Sequence, residues 1–265
     1  MIKLIASDVD GTLVPDGTFN INPEIYDIIK KLKEKGILFA AASGRQYASI
    51  KRLFAPVAED IYYISDNGGF VIDSRDNTLA ANAMDKQLVK DIVRDAMKLS
   101  DVNIMLAGRD YVYLDKNSDR LYRWIHDEYR FDIKRVDDLT LVEDDITKVS
   151  LYHPTDAEGA VREWFYDKWQ DKAALACAGL NWVDCNRSDV NKGNALKLIM
   201  DELHVTDDEV MVFGDNINDI GMIRCAKYSY AVGSARQEVK DAARFVTDTM
   251  ANQGVIKTIK EKILL

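Results

Sequence analysis

Apolar positions along the chain fall into two textures. Short, dense runs of β-branched and small residues, Ile2 to Ala6, Ile37 to Ala42, Ile61 to Ser65, Val210 to Phe213 and Tyr228 to Val232, read as strands buried on both faces. Between them lie stretches with helical spacing. Asn22-Pro23 supplies a cap and a first-turn proline, Ile25, Ile28, Ile29 and Leu32 share one face, and Gly36 stops the run. Lys192-Gly193 opens a helical run from Asn194 to Leu203, and a last one covers Val255 to Leu264. Strand and helix alternating in this way predict an α/β fold with a parallel sheet sandwiched by helices.

From about Ala83 to about Arg187 the pattern changes. Helical stretches (Lys86 to Leu99, Asp119 to Tyr129, Ala157 to Trp169) alternate with edge-like strands over Val102 to Leu106, Tyr111 to Leu114, Lys148 to Tyr152, Ala173 to Ala178 and Asn181 to Asp184. All four tryptophans, Trp124, Trp164, Trp169 and Trp182, lie in this stretch. The pattern predicts a core of residues 1–82 and 188–265 interrupted by a separate α+β domain over 83–187, with Trp164 and Trp169 packed beneath its sheet.

The strand ends carry the polar chemistry. Asp8-Val9-Asp10-Gly11-Thr12 follows the first strand, and side chains two apart on extended backbone point the same way, so both acids are expected to face one spot. Two ionised carboxylates that close need a shared proton or a cation, and a divalent metal answers that need. Gly11 permits a sharp turn, and Thr12 adds a hydroxyl to exposed amides, an arrangement that suits a phosphate. A second acid group, Gly214-Asp215-Asn216-Ile217-Asn218-Asp219, follows Val210 to Phe213, with Asp219 expected one helical turn beyond Asp215. The two groups together make one candidate cation site. Ser43-Gly44-Arg45 ends another strand just before a helix whose free N–H groups favour an anion. Pro15-Asp16-Gly17-Thr18 fits a tight turn, a small flap beside the site.

Acids, hydroxyl, lysine, acids, each at a strand end or a helix start, is an order that resembles the haloacid dehalogenase (HAD) superfamily, and within it the Cof-type phosphatases. Asp8-x-Asp10-Gly11-Thr12 is similar to the first motif, Ser43-Gly44-Arg45 to the second, Lys192-Gly193 to the third, and Gly214-Asp215-x-x-Asn218-Asp219-x-x-Met222 to the fourth. Asn67-Gly68 and Asn252-Gln253-Gly254-Val255 resemble supporting signatures, whereas Gly233-Ser234-Ala235 departs from the usual Gly-Asn-Ala, and Asp66 and Gly69 from the commoner small residues. The resemblance implies a Rossmann-like core with an inserted cap that selects substrates. It also implies Mg²⁺-dependent hydrolysis of a phosphate ester, with Asp8 as nucleophile and Asp10 as general acid and base. Mg²⁺ would be held by the side chains of Asp8 and Asp215 and the backbone carbonyl of Asp10, with Asp219 ordering its waters. Thr12, Ser43, Gly44, Lys192 and Asn218 would bind the phosphoryl group or substrate, with Arg45 as a further contact. A phosphomutase of the same fold is an alternative, and so is a receiver-like module in which a phosphoaspartate only signals. The second acid at Asp10 and the hundred-residue insertion count against the module.

Composition narrows the partners. At 265 residues with 47% apolar, the chain fills globular cores, and no apolar run reaches the roughly 18 residues a membrane helix needs. Met1-Ile2-Lys3 leads straight into a strand and not into a cleavable signal, so a soluble cytoplasmic protein is expected, as a monomer. Cys177, Cys185 and Cys225 make an odd count without metal-ligand spacing, and only three histidines occur, so disulfides, zinc and a Ser-His-Asp enzyme are disfavoured. A net charge of −9 disfavours nucleic acid, leaving a small phosphorylated metabolite drawn in by local positive charge from Mg²⁺, Arg45 and Lys192.

Overall fold

A computed structural model of the chain describes residues 1–127, 129–162, 164–178 and 180–265. Two compact units divide it: residues 1–80 with 191–265, and residues 81–190. In chain order the first unit begins with β1 (Leu4–Asp8), α1 (Glu24–Glu34), β2 (Leu38–Ala42), α2 (Tyr47–Leu53), β3 (Ile61–Ser65), β4 (Phe70–Ile72) and β5 (Thr78–Ala81). The second carries α3 (Lys86–Ala96), β6 (Asn103–Ala107), β7 (Val112–Asp115), α4 (Asp119–Asp127), β8 (Ile133–Val136), β9 (Lys148–Tyr152), α5 (Ala157–Arg162), α6 (Phe165–Trp169), β10 (Ala174–Ala178) and β11 (Trp182–Asn186). The chain returns to the first unit with α7 (Lys192–Glu202), β12 (Val210–Gly214), α8 (Ile220–Ile223), β13 (Tyr228–Ala231), α9 (Gln237–Ala242), β14 (Phe245–Val246) and α10 (Gly254–Ile259).

The first unit is a Rossmann-like sheet of order β14-β13-β12-β1-β2-β3-β4-β5, parallel from β14 through β3 and antiparallel at β4. Its central strands β1 and β12 are buried along their whole length because helices cover both faces. Register sets the level of the chemistry: Asp8 lies opposite Ala42, and Ser7 opposite Phe213. The polar residues that follow β1, β2 and β12 therefore emerge together at one edge, the carboxyl ends where ligands of open α/β sheets bind.

The second unit folds around a sheet of order β10-β11-β9-β6-β7-β8, antiparallel except for the β7–β8 pair. Alternation along β6 sends Ile104 and Leu106 into one apolar cluster with α3, α5 and α6, and Met105 into another beneath α4. Trp169 is buried in the first cluster, Trp124 and Trp182 stack against each other in the second at 5.8 Å, and Trp164 is exposed. The stretch expected as one helix over Ala157 to Trp169 forms two, α5 and α6, with Glu163 outside the described residues; Glu128 in the helix expected to Tyr129 is likewise outside them. Among the described residues no helix is long and apolar enough to cross a membrane.

Candidate active site

β1 ends at Asp8, so the two acids of the first motif do not share one extended segment. After Asp8 the chain turns through Gly11, whose φ of +80° is a backbone conformation that glycine adopts freely. A side chain there would also meet Asp215, its Cβ falling 2.8 Å from the Asp215 Cγ. Asp8 stays with the strand-end carboxylates, and Asp8, Asp215 and Asp219 each offer an oxygen within 4.8 Å of the other two.

Asp10 takes a different set of partners. Arg45 Nε donates to its Oδ2 at 2.9 Å and Arg45 Nη2 to its Oδ1 at 2.6 Å, a two-point fork. Ser43 Oγ donates to Oδ2 at 3.2 Å and the Gly17 amide to Oδ1 at 3.1 Å. The two acids of the first motif thus have different partners: Asp8 belongs to the group with Asp215 and Asp219, and Asp10 is held by Arg45, Ser43 and the Gly17 amide.

Lys192 is the first residue of α7, capped by the Asn191 side chain, which accepts from the Asn194 amide at 2.9 Å. A lysine at a helix N-terminus opposes the helix dipole, so acids must compensate it. They do: its Nζ lies 2.5 Å from Asp8 Oδ1 and 2.6 Å from Asp219 Oδ1. Close packing of α7 on α8 brings it there, since a Cβ on Gly193 would fall 2.6 Å from the backbone of Gly221. Burial alone would depress the Lys192 pKa, but the Asp219 and Asp8 charges outweigh it and hold the ammonium above its ordinary value.

Asp219 does not sit a helical turn beyond Asp215, as the spacing suggests. Residues 217–219 form a tight 3₁₀ turn, and the Asp219 side chain folds back so that Oδ2 accepts from the amides of Asp215 and Asn216 at 2.9 and 3.0 Å. Both its oxygens are thus engaged within the protein. Asp215 Oδ1 accepts from Thr12 Oγ1 at 3.0 Å, while Asp8 Oδ2 is buried without a hydrogen-bond partner. Burial pushes the Asp8 carboxyl well above the usual carboxylate range, with repulsion from Asp219 next; burial and then Asp219 raise Asp215 as well. Acids crowded this way, one with an orphaned buried oxygen, fit an oxygen-seeking divalent cation held through Asp8 and Asp215.

The other candidates are placed around this centre. Asn218 donates through Nδ2 to Asn67 Oδ1 at 2.9 Å, and Gly44 lies against the same Asn67 side chain. Asn67 and the preceding Asp66 have positive φ, at 58° and 48°. The sequence marks Asn67-Gly68 only as a supporting signature and gives Asn67 no part in the site. It gives none to Phe19 either, whose ring lies 5.1 Å from the Arg45 guanidinium, and no local pattern points to that contact.

A doubly wound sheet with acids, hydroxyls and a lysine gathered at its strand ends defines an α/β enzyme of the Rossmann-like class. The family model for haloacid dehalogenase-like hydrolases matches residues 5–259, and the chain belongs to that family. It is similar to the 5-amino-6-(5-phospho-D-ribitylamino)uracil phosphatase YbjI of Escherichia coli K12, with 28% identity over 99% of this chain and 96% of the relative. The Bacillus subtilis phosphatase YcsE, named for the same substrate, is 25% identical over 99% of this chain and 96% of its own length. A crystal structure from Eubacterium rectale superposes with a TM-score of 0.91 at 38% identity, covering 98% of both chains. The subclass IIB sugar phosphatase BT4131 superposes at 0.82 with 20% identity, covering 99% of this chain and all of its own, a likeness of fold. The chain is a phosphatase enzyme of this hydrolase family.

Proposed function

We propose that the protein hydrolyses the phosphate monoester of a small sugar or polyol through a phosphoenzyme formed on Asp8. The observation that carries the reading is Asp8 itself: one oxygen is fixed by Lys192, and the carboxylate is buried at the strand end beside Asp215, where a phosphate and a cation could meet it. Asp8 Oδ2 would attack phosphorus while the alcohol oxygen leaves, and water would then cleave the acyl phosphate to return the carboxylate. Asp10, oriented by Arg45, Ser43 and Gly17, would give the departing alkoxide its proton and later take one from the water.

Lys192 and Ser43 would meet the charge on the phosphoryl oxygens, with Thr12, Gly44 and Asn218 completing the surroundings. Phosphoryl transfer depends mainly on such positioning and charge neutralisation. Mg²⁺, held by the Asp8 and Asp215 carboxylates and the Asp10 carbonyl, would supply further neutralisation of the phosphate when bound. Asp219 has the supporting part: it orients Lys192 and the backbone of residues 215–216.

Among the described residues the 81–190 unit contributes none of the converging acids, and we assign it substrate selection. The relatives named for 5-amino-6-(5-phospho-D-ribitylamino)uracil make a phosphorylated ribityl chain the first substrate to try, beside ordinary sugar phosphates. The test is phosphate release from a panel of phosphorylated metabolites with Mg²⁺, with chelator, and with the Asp8→Asn variant. Release with Mg²⁺ alone supports the reading; full release by Asp8→Asn would overturn it.

A further inference from the structure

Arg45 lies between Asp10 and the segment that follows it. Its side chain is 2% exposed, and its fork closes on both Asp10 oxygens. The same Nη2 donates to the Thr18 carbonyl at 2.6 Å, and the guanidinium stands over the Phe19 ring. The Gly17 amide donates to Asp10 Oδ1 as well, at 3.1 Å. Residues 17, 18 and 19 thus each touch either Asp10 or the arginine that holds it.

A planar fork with a stacking face can make these contacts together, where the point charge of a lysine cannot. A carboxylate bound at both oxygens has lost its freedom to rotate. Acid–base help depends on that, since the group must lie within hydrogen-bond reach of the oxygen it protonates. Nε and Nη2 of this arginine are both committed to Asp10.

We propose that Arg45 is a positioning residue: it clasps Asp10 to the Gly17–Phe19 segment and sets the carboxylate's orientation, and it does not act by holding the phosphate. The inference rests on the proposed phosphatase reading. It sets two consequences. Loss of Arg45 should hurt most where the leaving group needs a proton, and should cost little once Asp10 can no longer supply one.

The experiment is a double-mutant cycle with Mg²⁺ on Arg45→Met, Asp10→Asn and the pair. Ribose 5-phosphate serves as alkyl ester and p-nitrophenyl phosphate as aryl ester. Arg45→Met should lower kcat for the alkyl ester about 100-fold and for the aryl ester less than about tenfold, the lower part of the range for acid–base help. KM and the inhibition constant of inorganic phosphate should move by less than about threefold, the pattern of an interaction made in the transition state. In the Asp10→Asn background the second substitution should cost less than about twofold, because residues acting as one unit are not additive.

Arg45→Lys, which keeps the charge and the stem, should fold and show the same alkyl–aryl asymmetry, and it decides the matter if Arg45→Met does not fold. Phe19→Leu should show that asymmetry more weakly. Equal losses on the two esters, a tenfold rise in the phosphate inhibition constant, multiplicative losses in the double variant, or a lysine variant with wild-type kcat on both would each overturn the clasp. Wild-type protein inert toward both esters would instead overturn the phosphatase reading, so the two failures are told apart.

Discussion

Lys192 and Asp219, 27 residues apart in the chain, meet at 2.6 Å with neither side chain exposed to solvent. A buried pair of this kind is costly to break on one side, because the remaining charge has no water to turn to. It joins the start of α7 to the loop after β12, and through the second contact of Lys192 it reaches β1.

Replacing Lys192 with methionine leaves Asp8 and Asp219 buried together without a cation. The expected cost is about 3–5 kcal/mol, by analogy with other broken buried pairs. For a unit of this size that lowers the melting temperature by about 10 °C. Adding Asp219→Asn to the methionine variant should recover part of the loss, since it removes one of the two stranded charges. A double variant less stable than Lys192→Met, by thermal or urea unfolding, would contradict this account of the pair.

Asp8 gives stability a pH dependence whose sign follows from its raised pKa. A carboxyl whose folded pKa lies above its unfolded value binds its proton more tightly when folded. That contribution is complete below the unfolded value, near about 4, and is lost as pH rises through the higher folded value. Metal-free protein should therefore become easier to unfold as pH increases above 5, and Asp8→Asn, which has no proton to lose, should flatten the slope and be the more stable of the two at pH 7. Urea midpoints measured in chelator from pH 5 to 8 read both effects. A steeper slope in Asp8→Asn would show that the pH dependence originates elsewhere.

The strand ends were legible before any coordinates because β1, β2, β3 and β12 are buried on both faces and so appear as unbroken apolar runs. Edge elements were not. Thr78–Ala81 and Ile133–Val136 are partly exposed and carry no clean alternation, so the pattern marks no strand there. At the site, spacing showed that acids gather at strand ends, but not how they divide. The union of Asp10 with Arg45 joins residues 35 apart, a distance over which a single sequence carries no signal. Asp219 was misplaced for a related reason: its side chain caps its own loop where a helical turn was expected.

The cation reading can be tested apart from turnover. A ligand bound only by folded protein raises stability by RT ln(1 + [L]/Kd), about 2.7 kcal/mol at a hundredfold excess over Kd. Mg²⁺ should accordingly raise the melting temperature of wild-type protein by several degrees. Asp215→Asn should lose most of that shift while remaining folded, because Asp215 sits at the site without supporting Lys192 through any contact of its own. An unchanged shift in Asp215→Asn would remove Asp215 from the proposed ligands.

The two neighbouring acids should separate in their covalent chemistry. Asp8→Asn has no carboxylate to attack phosphorus, so neither turnover nor a phosphoenzyme is expected. Asp10→Asn keeps the nucleophile. What it loses is the proton transfer, worth about 10²- to 10⁴-fold and most needed when the leaving group is a basic alkoxide. An aryl phosphate, whose leaving group hardly needs a proton, should still phosphorylate Asp8 in this variant, while hydrolysis of the acyl phosphate slows for want of a base. Rapid quench with radiolabelled aryl phosphate should therefore trap label on Asp8 in Asp10→Asn and show none in Asp8→Asn. Label on residue 10 of the Asp8→Asn protein would reverse the assignment of nucleophile. Equal loss of the alkyl and aryl half-reactions in Asp10→Asn would deny Asp10 its part in proton transfer and leave the Arg45 fork with only a structural purpose.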